Sequence, residues 1–138
     1  MTFDELIQSI SSRPAMWVGS ALLRDVAIFL DGFRRGIETA TGQDPMLNWR
    51  DWIETKYLIS DPGWHWTRIL LHVYGSDAAV FAALPGLFSD FKTETSGLTS
   101  DQLSELHRQA FLAAFGEEHH RPEDPDGSDQ PPIEPVVP

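Results

Sequence analysis

Aromatic and acidic side chains that could anchor a protein partner are concentrated in one short stretch of this chain. Four of its five tryptophans fall within 18 residues, at Trp49, Trp52, Trp64 and Trp66. Tryptophan is enriched at binding hot spots, and carboxylates beside it can pair with lysine or arginine of a partner. The predicted partner-binding residues combine both types: Asp44, Trp49, Asp51, Glu54, Asp61 and Trp64.

The tryptophans could also serve the core or a small ligand. Helical spacing places Trp52 and Trp66 on apolar faces, which favours packing inside the protein, whereas Trp49 and Trp64 are as readily exposed as buried. An apolar pocket, as in a small-molecule or regulatory sensor domain, is the alternative function. The residues predicted to line that pocket are Trp17, Trp52, Trp66 and Phe88.

The other reactive side chains lack the spacing that catalysis or metal binding requires. His65 and His72 are seven residues apart, whereas helical metal sites favour histidines four apart, and no third ligand is suggested. Asp51 and Glu54 stand three apart on a predicted solvent face, and no nucleophile signature is present. We therefore expect no enzyme, no metal and no cofactor. An unrecognised enzyme would require a polar cluster that only the fold could assemble.

Charge and composition restrict the class of partner. The formal net charge is −11, with 9 basic and 14 acidic side chains in residues 1–116 and 1 and 7 in residues 117–138. Because both parts repel phosphate, we expect no nucleic-acid partner, whereas a basic protein suits the charge. The absence of cysteine is compatible with the cytoplasm. No apolar run approaches the length of a membrane span, so we expect a cytoplasmic protein without membrane contact.

Hydrophobic periodicity predicts an all-α fold, a compact bundle of about six short helices, for residues 1–116. Capping boxes at Thr2 with Glu5 and at Thr99 with Gln102 mark two helix starts, and Ser20 and Asp61 are predicted N-caps. The predicted helices cover about 3–12, 20–42, 46–58, 61–74, 77–92 and 99–116. An α+β fold with a short strand near 67–74 is the alternative, because that run is also short and apolar.

Proline and glycine divide the chain at three places. Pro14 and Gly19 bound a segment that we expect to be an irregular connection, with Trp17 largely buried near Leu23, Phe29 or Phe33. Pro85-Gly86 must kink or break the fifth helix. Residues 117–138 alternate proline with acids, a composition that predicts a disordered acidic tail.

The spacing of these motifs resembles a family of small uncharacterised bacterial proteins. The shared pattern is R-P-x-M-[YW]-x-G at Arg13–Gly19, an aromatic-glycine helix at Phe29–Phe33, and tryptophan or phenylalanine motifs at 49–52, 66–70 and 81–91. Members of this family look like immunity proteins of bacterial toxin systems. The resemblance implies a protein that neutralises a cognate toxin by stoichiometric contact. A helical Gly32-x-x-x-Gly36 face leaves either a monomer or a homodimer open.

Overall fold

The computed structural model describes residues 1–116, so the predicted tail lies outside the described residues. Seven α-helices and no strand are present in this part of the chain. They are α1 (Phe3–Ser12), α2 (Pro14–Val18), α3 (Leu23–Thr41), α4 (Trp49–Tyr57), α5 (Trp66–Tyr74), α6 (Asp77–Thr95) and α7 (Ser100–Phe115). The predicted all-α class is confirmed. The alternative strand near 67–74 is wrong, because these residues belong to α5.

Both capping boxes form at the predicted helix starts. Thr2 Oγ1 accepts the backbone N–H of Glu5 at 3.1 Å, and Glu5 Oε1 accepts the backbone N–H of Thr2 at 2.7 Å. Thr99 and Gln102 make the same reciprocal pair before α7. Each pair satisfies two helix N–H groups that would otherwise lack an acceptor.

Two helices begin at residues other than those predicted, because side chains other than the predicted N-caps accept hydrogen bonds from their first N–H groups. α3 begins at Leu23 rather than just after Ser20, and Asp77 Oδ2 accepts the Leu23 N–H at 2.8 Å. Ser20 Oγ instead donates to Asp25 Oδ2, in the first turn of α3, at 2.6 Å. α5 begins at Trp66, with His65 rather than Asp61 as its N-cap.

The segment predicted to be an irregular connection forms a short helix, α2. Pro14 occupies its first turn, where a missing N–H removes no intrahelical bond. Trp17 packs against Phe29 with ring centroids 6.0 Å apart, so the predicted contact is present. The indole Nε1 donates to Ser9 Oγ at 3.2 Å. Trp17 is of intermediate exposure and packs against the core, so most of its surface is covered, as predicted.

α6 runs from Asp77 to Thr95 with Pro85 inside it, so of the predicted kink or break the break does not occur. Tertiary packing accounts for its continuity. Buried side chains lie on both sides of the proline: Val80, Phe81, Leu84, Leu87, Phe88 and Phe91. Their burial outweighs the single backbone hydrogen bond that proline removes.

Candidate functional site

The centre of the core is an aromatic cluster around Trp49. Its ring centroid lies 5.7 Å from those of Trp52 and Trp66, 5.8 Å from Phe88 and 5.3 Å from Phe91. Trp49 is 1% exposed. It therefore presents no surface to a partner, and its prediction as an exposed anchor is corrected. The expected core positions of Trp52 and Trp66 are confirmed.

The same cluster bears on the alternative of a tryptophan-lined ligand pocket. The indole of Trp49 occupies the space between Trp52, Trp66 and Phe88. Trp17 lies elsewhere, against Phe29. The sensor function stays a prediction, but the aromatic side chains expected to form its pocket pack against one another or in separate places.

Glu54 is also buried, at the contact between α4 and α7. Its Oε1 lies 3.3 Å from His107 Nε2, and its Oε2 lies 3.1 Å from an Arg50 guanidinium nitrogen. Glu54 is 0% exposed and His107 is 1% exposed. Glu54 is therefore removed from the predicted partner surface. Its contacts instead hold α7 beside α4.

Asp44 is committed to an ion pair within the fold. Arg34 Nε donates to Asp44 Oδ1 at 2.9 Å, a second guanidinium nitrogen donates to Oδ2, and the Met46 N–H donates to Oδ1 at 2.9 Å. Burial raises the pKa of Asp44, but the hydrogen bonds from Arg34 and Met46 outweigh it and hold the pKa below its ordinary value.

This lowered pKa predicts a pH-dependent loss of stability. A carboxylate with a depressed folded-state pKa stabilises the fold above its unfolded pKa, and the contribution disappears as pH falls through the folded value. At neutral pH, Asp44→Asn should lower the free energy of unfolding by about 2 kcal/mol, as for other charge-assisted hydrogen bonds. Urea denaturation across a pH series should show this difference shrinking below about pH 4.

Arg34→Met serves as the paired variant, since it removes the other half of the same interaction. Arg34→Met should abolish the same acid-dependent part of the free energy of unfolding. A difference between the parent and Asp44→Asn that stays constant down to strongly acidic pH would contradict the assignment.

Asp61 and Trp64 lie together on the loop between α4 and α5. Arg50 fastens this loop, because its guanidinium donates to the carbonyls of Asp61 at 2.9 Å and of Trp64 at 2.8 Å. The Asp61 side chain is exposed. The Trp64 ring is partly buried and lies 4.5 Å from the Arg68 guanidinium carbon. Partner binding by these two residues stays a prediction.

Asp51 faces a different surface, a groove of about 170 Å³ between α4, the end of α6 and the start of α7. We call it the acidic groove. Its lining residues are Asn48, Asp51, Trp52, Thr55, Lys56, Glu94, Leu103 and Leu106. Leu106 is 49% exposed on one wall. The groove thus combines an apolar wall with the carboxylates of Asp51 and Glu94 and the ammonium group of Lys56.

Trp52 organises the acidic groove. Its indole Nε1 donates to Glu94 Oε1 at 2.9 Å, which holds the carboxylate at the lining. Lys56 Nζ lies 5.5 Å from the centroid of the same indole, within the range of a cation–π contact. At the opposite end, Asn48 Nδ2 donates to Ser100 Oγ at 3.2 Å and links the starts of α4 and α7.

Sequence reasoning identifies only two of the eight residues that line the acidic groove, Asp51 for a protein partner and Trp52 for a ligand pocket. Glu94 lies 42 positions from Trp52, and no local pattern connects the two. Leu103 and Leu106 follow helical spacing, a pattern that predicts an apolar face packed into the core. In the fold, His107 and Phe111 are the buried residues of α7, which leaves Leu106 at the surface.

The fold and the groove define an all-α domain with an acidic, partly apolar surface groove. No protein-family model matches this chain, and no curated protein or solved structure does either. Within residues 1–116, no three or more His, Cys, Asp or Glu side chains are grouped to hold a metal ion.

No single helix between residues 1 and 116 is long and apolar enough to cross a membrane. α5 and α6 reach that length and composition only when taken together, and they are bent by 111° relative to each other.

Proposed function

We propose that this chain is an immunity protein that binds and neutralises a cognate bacterial toxin by stoichiometric contact. The observation that supports the proposal is the acidic groove, in which carboxylates of Asp51 and Glu94 adjoin the apolar side chains of Leu103 and Leu106. Protein-binding hot spots combine a desolvated apolar centre with polar groups at its rim. A basic toxin surface is the complement of this arrangement.

The charge balance of the rest of the domain supports the same partner chemistry. Two basic side chains are held by acids of the chain itself, Arg34 by Asp44 and Lys92 by Asp4 at 2.6 Å. Residues 1–116 nevertheless carry an excess of acidic groups. Such a surface steers a basic protein toward the groove and raises the association rate, more strongly at low ionic strength.

Reversing one charge in the acidic groove should weaken toxin binding. We expect Glu94→Lys to raise the dissociation constant about tenfold or more, which corresponds to at least about 1.4 kcal/mol. Glu38→Lys is the matched control, because it makes the same charge change at an exposed position of α3 away from the groove. Both variants place lysine near a helix C-terminus, where a cation is favourable.

The binding measurement starts from the native producer. Tagged protein is used to purify its partner at low salt, and the dissociation constant of the purified pair is then measured at low and high salt for each variant. Protection of cells against the purified partner, when that partner is produced in the cytoplasm, tests neutralisation. Equal weakening by Glu94→Lys and Glu38→Lys, or a partner without toxicity, would contradict the proposal.

A further inference from the structure

We infer that the acidic groove is a receptor for one arginine side chain of the partner, whose guanidinium packs against Trp52 and pairs with the groove carboxylates. This inference rests on the proposed function, because it names the group of the toxin that the groove takes. The size, the aromatic surface and the charges of the groove each support it.

The size of the groove suits one side chain. Its volume is about 170 Å³. Cavities of about 150 Å³ in other proteins hold a single benzene-sized molecule. A helix or strand cannot enter such a space, whereas the stem and head of one long side chain can.

The aromatic surface in the groove suits a cation. Indole is the best ring for cation–π contact, and Lys56 Nζ already lies 5.5 Å from the Trp52 centroid. Trp52 is 8% exposed and is held in place by contacts with Trp49 and Phe91. Because the Trp52 ring is already held in place and largely shielded from water, binding costs little conformational entropy at this side chain.

The carboxylates favour arginine over lysine. Glu94 uses one oxygen to accept the Trp52 N–H at 2.9 Å, which orients the carboxylate beside the indole. Asp51 lines the same groove from α4. A planar guanidinium can stack on an aromatic ring and donate to a carboxylate in its own plane, and it is more weakly hydrated than an ammonium group. Lysine provides a point charge without this geometry.

Substitutions of Lys56 and Glu94 test the inference, because the first should strengthen arginine binding and the second should weaken it. The Lys56 ammonium group lies over the ring on which the arginine is expected to pack, so an arriving guanidinium must displace it. Lys56→Met keeps much of the aliphatic stem but removes the competing cation, and should strengthen arginine binding about threefold. Glu94→Gln keeps an oxygen that can accept the Trp52 N–H but removes the charge, and should weaken binding several-fold.

The experiment uses the full chain labelled with ¹⁵N and the probe acetyl-Leu-Arg-Leu-amide at millimolar concentration. The isosteric citrulline peptide, which is uncharged, is the reference probe. The indole N–H resonances of the five tryptophans are assigned by substitution and followed during each titration. We expect a saturable shift of the Trp52 resonance with the arginine peptide and a much smaller one with citrulline. Lys92→Met, which removes a cation paired with Asp4, is the control for net charge and should leave the binding constant unchanged.

Three results would overturn the inference. They are the absence of a Trp52 shift with the arginine peptide, an equal shift with citrulline, and equal strengthening by Lys56→Met and Lys92→Met. The proposed function is tested separately. If Glu94→Lys weakens toxin binding while the peptide leaves Trp52 unaffected, the immunity function stands without the arginine receptor. If the peptide binds as expected and no toxin is captured, the arginine receptor stands without the immunity function.

Discussion

Trp49→Ala should lower the free energy of unfolding by about 3–5 kcal/mol, the range measured for buried aromatic side chains. The indole is 1% exposed and contacts four other aromatic rings, so truncation leaves a cavity that its neighbours cannot fill. Denaturant unfolding followed by circular dichroism measures the change. The midpoint should move to lower denaturant without a change in the slope.

Trp64→Ala is the matched control for this substitution. Trp64 is only partly buried, on the loop before α5, so its loss should cost clearly less than the loss of Trp49. If Trp49→Ala instead unfolds with the parent and loses only its partner, Trp49 is the exposed anchor that the sequence predicted, and the described core is wrong.

Glu54→Ala should also lower the free energy of unfolding by about 3–5 kcal/mol. Removing one member of a buried ion pair leaves its polar partners buried without an opposite charge. The resulting decrease in stability is larger than the net stabilisation that the intact pair provides. The groups left behind are His107, whose Nε2 lies 3.3 Å from Glu54 Oε1, and Arg50. Thermal or denaturant unfolding of the purified variant measures the effect.

An exposed ion pair provides the comparison. Glu105 pairs with Arg108 on the surface of α7, and Glu105→Ala should change stability far less than Glu54→Ala, because water screens an exposed pair. The double variant Glu54→Leu with His107→Leu should regain most of the stability that Glu54→Ala loses, because both polar groups are replaced by apolar ones. Equal effects of Glu54→Ala and Glu105→Ala would show that Glu54 is not buried in the folded protein.

Local signals were sufficient where one residue pair determines a helix end. The Thr2–Glu5 box placed the start of α1 correctly, because both hydrogen bonds lie within one turn. Gly75, in the left-handed conformation at φ 89°, ends α5 where the sequence suggested a helix stop. These features depend on side chains only a few residues apart.

Tertiary contacts decided the elements that the sequence missed. The start of α3 uses Asp77, which is 54 positions away, so Ser20 is not required as its cap. Pro85 stays within α6 because the residues around it are buried on both sides. Neither effect can be read from neighbouring residues.

The candidate site shows the same division. Asp51 could be found from its place beside Trp52 on one helix, and it lines the acidic groove. Glu54 follows at helical spacing, but its burial depends on His107, 53 positions away. Glu94 enters the groove only through its hydrogen bond to Trp52. The three acidic residues Asp51, Glu54 and Glu94 therefore have different roles, because long-range packing determines the surroundings of each carboxylate.

Hydrogen–deuterium exchange of the complex with the captured toxin tests the central claim most directly. We predict protection of three groove segments when the toxin binds. They are residues 48–56, which include the N-cap and most of α4, the end of α6 around Glu94, and the start of α7 around Leu103 and Leu106. The Glu94→Lys protein should lose that protection at the same toxin concentration, and the Glu38→Lys protein should keep it. Protection confined to α2 and α3, or a toxin complex unaffected by Glu94→Lys, would contradict the account.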